Sequence, residues 1–393
     1  MRILQINTIA NSGSTGRIAE EIGKTLMGNA HESYMAYGRK NRPSQSRLIK
    51  IGTQKDVYQH VIHTLLWDKH GLASKKATKD FIRQIEDIKP DVIGLHNIHG
   101  YYLNYEILFN YIKANEIPVL WTFHDAWPFT GHCSYFDSVG CEKWKTHCHK
   151  CPITKNYPKA LTDRSYQNFE DKQEAFTGVK HLKIITPSQW LGDLVKQSFL
   201  KEYPVEVIHN GIDLDVFKPL ENVLDSKKKI VLGVASTWDK RKGLDDFIQL
   251  SKKLDSNTKI VLIGLSSKQI ESLPKGITGI ERTENVEALV EWYNKATVFV
   301  NPTYVDNFPT TNIEALSCGT PVITYETGGS PEAVNQDTGK VVPKADINAL
   351  AKAINDIKKD NTTINAGRER ALCKFNAKDR YLDYLKLYED FKV

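Results

Sequence analysis

The segment Thr303-Tyr-Val-Asp-Asn-Phe-Pro-Thr-Thr-Asn-Ile-Glu-Ala-Leu-Ser-Cys-Gly-Thr-Pro321 sets two carboxylates, Asp306 and Glu314, eight positions apart around the start of a short helix. Pro309 suits a first helical turn, Ile313, Leu316 and Ser317 continue it, and Gly319 with Pro321 end it before the apolar run Val322 to Tyr325. Such a helix turns the amides of Thr310 and Thr311 toward the ends of the neighbouring strands, where α/β sheets bind ligands. Two acids beside an anion-binding terminus suit hydrogen bonds from sugar hydroxyls, with solvated or capping acids as the alternative. A second turn, Asn11-Ser-Gly-Ser-Thr-Gly-Arg17, feeds a helix whose one face carries Ile18, Ile22 and Leu26. Gly13 and Gly16 there offer backbone amides to a phosphate, or form a plain tight turn. The spacing is neither G-x-G-x-x-G nor a P-loop, which disfavours a dehydrogenase or an NTPase.

Cys133, Cys141, Cys148 and Cys151 are spaced C-x7-C-x6-C-x2-C. Four thiols can close a tetrahedral zinc, so a structural zinc is the first expectation, with disulfides or unpaired thiols as alternatives and His132, His147 and His149 as competing donors. A set of four thiolates leaves no open coordination position, which argues against a catalytic zinc. Cys318 and Cys373 stand alone and read as buried small residues. Lys143, Lys145, Lys150 and Lys155 around Trp144, together with Trp67, Lys69, Lys75, Lys76 and Lys79, suggest peripheral contact with anionic lipid or a lipid-diphosphate acceptor. A solvated basic face is the alternative.

These groups need a scaffold, and the apolar pattern supplies one. Runs apolar on both faces recur at Ile3 to Ile6, Asp91 to Leu95, Val119 to Phe123, Ile184 to Thr186 and Val205 to Ile208. The rhythm returns at Ile230 to Val234, Ile260 to Ile263, Val298 to Val300 and Val322 to Tyr325. Separated by helix-length segments, they predict buried parallel strands in two doubly wound, Rossmann-like α/β domains. With 393 residues the chain is long enough for two cores. The aperiodic stretch from Lys218 to Lys229 reads as a solvated connection, and the expected domains are 1–215, with a Cys-rich insertion at 131–152, and 216–375. Residues 376–393 predict a final helix packing back on the first domain, with Asn376 and Asp379 at its start and Tyr381, Leu382, Leu385, Tyr388 and Phe391 on its apolar face.

A net charge of +6 and scattered basic residues give no nucleic-acid reader. No apolar run has the length of a membrane span, and Gln5 and Asn7 interrupt the start, so a cytoplasmic protein is expected, peripheral at the inner face of the cell membrane if the basic groups engage it.

The Asp306 to Glu314 block resembles the E-x7-E signature of family 4 glycosyltransferases with the GT-B fold. Thr327-Gly-Gly-Ser-Pro-Glu332, Gly339-Lys-Val-Val-Pro343, Val207-Ile-His-Asn-Gly-Ile-Asp213, Arg241-Lys-Gly243 and Thr122-Phe-His-Asp125 are similar to its other blocks, in its order. The resemblance extends to glycosyltransferases of bacterial exopolysaccharide and colanic-acid biosynthesis. It implies two domains facing a deep cleft, with Glu314 on the nucleotide ribose and Asp306, one methylene shorter than the usual Glu, on the donor sugar. Asn307, Phe308, Thr310, Thr311, Arg241, Gly13 and Gly16 are implied on the donor, Lys242 on the leaving diphosphate, and His124 on the sugar near the reacting carbon. Pro309 stands where the family commonly has Gly and removes one amide from the phosphate cradle, while Ser236 stands where many relatives have Arg. His96, Asn97 and His99 follow a strand as acceptor-side or wall residues, and Asn210 with Gly211 shapes a turn.

The implied activity is retaining transfer of a hexose-type unit from a nucleotide-diphosphate sugar to a glycan or lipid-linked glycan acceptor, with no cofactor required for catalysis. The alternative is a catalytically silent GT-B subunit that binds a partner glycosyltransferase or a sugar nucleotide; Asp306 and Ser236 favour it, whereas His124, Lys242 and Glu314 favour an enzyme.

Overall fold

A computed structural model describes residues 1–221 and 228–391. The middle of the expected connection, 222–227, lies outside the described residues. The chain divides into two compact units, Met1–Ile208 with Tyr381–Val393, and His209–Arg380.

The first unit opens with β1 (Arg2–Asn7), α1 (Gly13–Gly28), β2 (Glu32–Tyr37), β3 (Arg47–Lys50), α2 (Gln54–Trp67) and α3 (Lys75–Ile88). It continues through β4 (Val92–Leu95), α4 (Tyr105–Ala114), β5 (Val119–Thr122), α5 (Ser165–Phe176), β6 (Leu182–Thr186), α6 (Gln189–Val195) and β7 (Val205–Val207). The seven strands form one parallel sheet in the order β3-β2-β1-β4-β5-β6-β7. Successive side chains point to opposite faces of a strand, so a sheet covered on both sides needs apolar residues at every position. Leu4, Ile6, Ile93, Leu95, Val119 and Trp121 accordingly enter one core. Ile3, Val92, Leu120 and Ile185 enter the other, which is shared with Tyr384, Leu385 and Tyr388 of the C-terminal helix.

The second unit runs β8 (Lys229–Val234), α7 (Leu244–Leu250), β9 (Thr258–Ile263), α8 (Ser267–Glu271), β10 (Ile277–Ile280), α9 (Val286–Lys295) and β11 (Val298–Asn301). Then come α10 (Thr310–Ser317), β12 (Val322–Tyr325), β13 (Gly339–Val342), α11 (Ile347–Asp356) and α12 (Asn361–Lys374), and α13 (Ala377–Asp390) belongs from Tyr381 onward to the first unit. Its six strands are parallel in the order β10-β9-β8-β11-β12-β13, with Val231, Leu262 and Val300 on one face and Leu232, Val261 and Phe299 on the other. The two sheets are the doubly wound pair that the apolar runs predict.

Four strands escape the sequence pattern. In β2, Glu32, Ser33 and Tyr34 break the apolar run; β3 and β13 are edge strands; β10 is interrupted by Gly279. On α13, Leu382 is exposed rather than packed, while Tyr384 is buried in its place. Strand order reverses between β1 and β4 in the first sheet and between β8 and β11 in the second. Loops leaving the carboxyl ends of such strand pairs diverge to opposite faces and open a crevice.

Candidate active site

In the second unit, Lys242 follows β8 and Asp306 follows β11, so each comes from one strand of the switch pair. Their side chains meet, Lys242 Nζ donating to Asp306 Oδ2 at 2.5 Å with both groups largely but not fully covered. Glycines permit the approach. Gly243 has φ +73°, and a Cβ there would lie 2.3 Å from the carbonyl oxygen of Pro302; Gly328 has φ +55°, and a Cβ there would lie 2.0 Å from that of Asp306. The Thr327–Glu332 block therefore braces Asp306, whose carbonyl also accepts from Gly329 N–H at 3.1 Å. The Arg241 guanidinium forms an exposed ion pair with Asp239 at 2.9 Å.

Glu314 lies inside α10 and its Oε2 accepts from the Tyr293 hydroxyl at 2.7 Å. Burial, then the Glu314 carboxylate itself, pushes the Tyr293 phenol up, so Tyr293 stays a donor and fixes the carboxylate. A buried polar network anchors the helix: Asn301 Nδ2 donates to Asn312 Oδ1 at 2.8 Å, and Asn312 Nδ2 donates to Ser330 O and Oγ. Pro309 occupies the N-cap, where no side chain caps the turn that carries Thr310 and Thr311. Asn307 and Phe308 are buried, and Phe308 packs between His209 and Phe375 while its carbonyl accepts from Asn210 Nδ2. The Phe308 side chain is thus a packing group.

In the first unit His124 follows β5 and its Nε2 lies 3.1 Å from His96 Nδ1. The network assigns the protons. Gln5 Nε2 donates to the Ala19 carbonyl, so Gln5 Oε1 accepts from His96 Nε2–H, and His96 Nδ1 in turn accepts from His124 Nε2–H. His124 is therefore a neutral imidazole with Nδ1 as its acceptor nitrogen. Burial pulls it down to about 4, against the pull of Asp125. His99 pairs with Asp125 at 3.0 Å and with the Tyr157 hydroxyl at 3.0 Å. Gly13 opens α1 at φ +61°, and Gly16 is buried, with a would-be Cβ 3.1 Å from the Ile9 carbonyl oxygen. No side chain caps this helix start either.

The same burial pulls His60 down to about 3 and His70 and His96 well below the usual value of 6.5. The unfolded chain binds these protons below pH 6.5 while the folded chain does not, so stability is full above pH 6.5 and falls as pH drops toward the folded values. Each histidine contributes a slope approaching about 1.4 kcal/mol per pH unit in that window. Calorimetric unfolding should show the melting temperature of the first unit dropping between pH 7 and 5; a flat profile would refute the neutral network.

The cysteines line one small cavity of about 20 Å³ with Phe136, Trp144 and Thr130. Cys133 donates to Cys151, which raises the first thiol and lowers the second to about 7. Among the described residues no group of three or more His, Cys, Asp or Glu side chains is set to hold a metal ion, so the zinc expectation finds no support in the arrangement. Of the competing histidines, His132 uses Nδ1 on Asp68 at 2.6 Å while its buried Nε2 makes no hydrogen bond, and His147 and His149 contact backbone carbonyls through Nδ1. Trp144 is buried against Phe129 and Phe136, which removes it from any membrane contact, and Cys373 is exposed, contrary to expectation, while Cys318 is buried.

Tyr293 behind Glu314, Gln5 and Lys172 escape sequence reasoning, whereas His96, expected as an acceptor-side or wall residue, lies directly behind His124. Lys172 is fully buried beneath the cysteine loop, donating to Trp127 O at 2.7 Å and Thr130 O at 2.9 Å. Gln5 carried a signal, a polar residue inside an apolar strand.

Among the described residues no helix is long and apolar enough to cross a membrane. Residues 15–216 match the sequence profile of Glycosyltransferase Family 4, and residues 228–360 match that of glycosyl transferases group 1. An Escherichia coli K12 protein named for colanic acid biosynthesis as the glycosyl transferase WcaC is 24% identical, covering 99% of this chain and all of its own. Sucrose-phosphate synthase from Thermosynechococcus elongatus superposes with a TM-score of 0.73 at 19% identity, over 99% of this chain and 98% of that one. Anabaena HepE, solved in complex with UDP, superposes at 0.68 with 13% identity over 99% and 100%. Two parallel doubly wound sheets, these shared folds and a family match across half the chain lead to one conclusion: the protein is a GT-B glycosyltransferase of family 4.

Proposed function

We propose that the protein transfers a hexose-type sugar, with retention at the anomeric carbon, from a nucleotide-diphosphate sugar to a glycan or lipid-linked glycan during bacterial polysaccharide biosynthesis. The single observation that carries this reading is the Lys242–Asp306 pair at the switch point of the second sheet. An ammonium held there by a carboxylate is ready to meet a diphosphate, and Asp306 remains beside it to accept from a sugar hydroxyl. Glu314, oriented by Tyr293, accepts from the ribose hydroxyls, and the uncapped start of α10 faces the phosphates. Within the first unit His124 is held as a neutral imidazole able to accept from a sugar hydroxyl, and this unit is the one proposed to take the acceptor.

In the reaction the bond from the anomeric carbon to the β-phosphate oxygen breaks and its electron pair stays on the diphosphate. The acceptor oxygen forms its bond on the same face, and its proton passes to the departing phosphate oxygen. Lys242 offsets the charge that accumulates there. The WcaC likeness supports the polysaccharide setting, and the UDP bound by HepE makes UDP-sugars the first donors to test.

Calorimetric titration of UDP, GDP and ADP checks the nucleotide side. One nucleotide should bind preferentially, and Glu314→Ala should weaken it by about 10- to 100-fold through loss of charged hydrogen bonds. Unchanged affinity in the variant would remove Glu314 from the site.

A further inference from the structure

At the carboxyl end of the first sheet, the loops after β2, β4 and β5 bring together side chains that the donor reading does not use. Asp125 Oδ1 accepts from the Trp127 N–H at 2.9 Å, and its Oδ2 accepts from His99 Nε2–H at 3.0 Å. Asp125 thereby holds a proton on His99 Nε2, so His99 Nδ1 accepts the Tyr157 O–H at 3.0 Å. Burial pushes the Tyr157 phenol up, so it stays protonated and can donate. The hydroxyl is thus pinned inward, yet the residue as a whole is 45% exposed. A ring tethered by its hydroxyl and open to solvent has lost its freedom before any ligand arrives.

Tyr101 completes a corner with it. The two rings lie 6.0 Å apart at 85°, edge to face. Tyr101 is half-buried and sits at φ +71°, a left-handed backbone that a bulky residue seldom adopts and that costs on the order of 1–3 kcal/mol. Its surroundings hold it there: Gly100 turns at φ +116° and donates its N–H to His70 Nε2 at 3.2 Å, and the His70 ring packs 4.7 Å from that of Tyr101. Arg39, exposed on the loop after β2, lies in electrostatic reach of both phenols and forms no ion pair among the described residues. A pyranose has an apolar C–H face that suits an aromatic ring, and a carboxylate on it suits the guanidinium fork. The corner stands at the strand ends where the order reverses between β1 and β4, the usual ligand position in such sheets.

We propose that Tyr101 and Tyr157 are the stacking corner of an acceptor subsite, and that Arg39 beside it selects an acceptor sugar of the hexuronic acid type. His99 and Asp125 are positioning residues that act through Tyr157. The inference rests on the reading that the first unit takes the acceptor, and deepens it by naming the acceptor's chemical class.

The test is a ligand-observed NMR titration of the full chain, in the presence of UDP, with methyl glucuronide and with methyl glucoside. The glucuronide should bind more tightly by roughly tenfold or more, the difference that charge-assisted hydrogen bonds make. Arg39→Gln should bring the two affinities together. Tyr157→Ala should weaken both sugars by roughly three- to tenfold, the loss of an aromatic contact. Tyr157→Phe keeps the ring and loses only the His99 tether, so it should fall between the alanine variant and the wild type. Calorimetric melting of the first unit shows whether each variant is folded. Equal affinity of the wild type for the two sugars, binding of neither, or wild-type behaviour of Arg39→Gln or Tyr157→Ala would overturn the proposal. Sugar-nucleotide consumption without glucuronide binding would overturn this subsite alone, whereas glucuronide binding by a chain that binds no sugar nucleotide would overturn the donor assignment alone.

Discussion

Lys242→Ala lowers kcat for sugar transfer by about 10²- to 10³-fold while nucleoside affinity stays nearly unchanged, the cost of losing one preorganised charge at a developing anion. The asymmetry follows from position. Lys242 is held by Asp306 on the loop after β8, whereas the ribose partner Glu314 lies within α10. An ammonium that meets the diphosphate gains most as the bond to the sugar breaks and charge collects on the departing oxygen, so its removal falls on the chemical step. Steady-state kinetics at saturating donor, paired with calorimetry of the nucleoside, separates the two effects. A kcat loss matched by an equal loss of nucleoside affinity would show that Lys242 only holds the ground state.

Lys172→Ala destabilises the first unit by about 3–5 kcal/mol, the range for stranding buried polar partners and opening a cavity. The Lys172 ammonium fills the acceptor capacity of two carbonyls at Trp127 and Thr130 and lies 3.6 Å from the Trp127 ring centroid. Burial pulls it down to about 7, with Cys148 and Cys133 opposing that shift. In a unit of this size the loss lowers the melting temperature by on the order of 10 °C. Lys172→Met keeps most of the volume and loses only the donors, so it should fall between the two. Scanning calorimetry of all three proteins decides; an alanine variant that melts with the wild type would mean that the carbonyls find other donors.

Much of the fold was legible because a sheet buried on both faces writes itself as unbroken apolar runs, as at Val119 to Thr122 and Val298 to Val300. Strands with only one apolar face or an edge position, such as β3 and β13, lack that mark. Lys242, Asp306 and Glu314 could be singled out by type and spacing. That Lys242 and Asp306 touch could not, since they are far apart in sequence and meet only because β8 and β11 are neighbours in the sheet. The cysteine spacing suggested a zinc, but spacing along a loop does not fix where the sulfurs point. Trp144 between two lysines read as amphipathic, and a 3-10 turn at Lys143–Lys145 instead folds its ring inward. The Tyr101–Tyr157 corner was missed because its two rings are far apart in sequence and come together only through the loops after β4 and β5.

Phosphorus NMR of the purified protein with UDP-, GDP- and ADP-sugars tests the central claim, that the second unit holds a nucleotide-sugar donor for cleavage with Lys242 on its diphosphate. One donor should be consumed to its nucleoside diphosphate, slowly with water as acceptor, and the Lys242→Ala protein should leave the same donor essentially intact. Bound donor consumed as fast by Lys242→Ala as by the wild type, or no sugar nucleotide bound or consumed by either, would contradict the account.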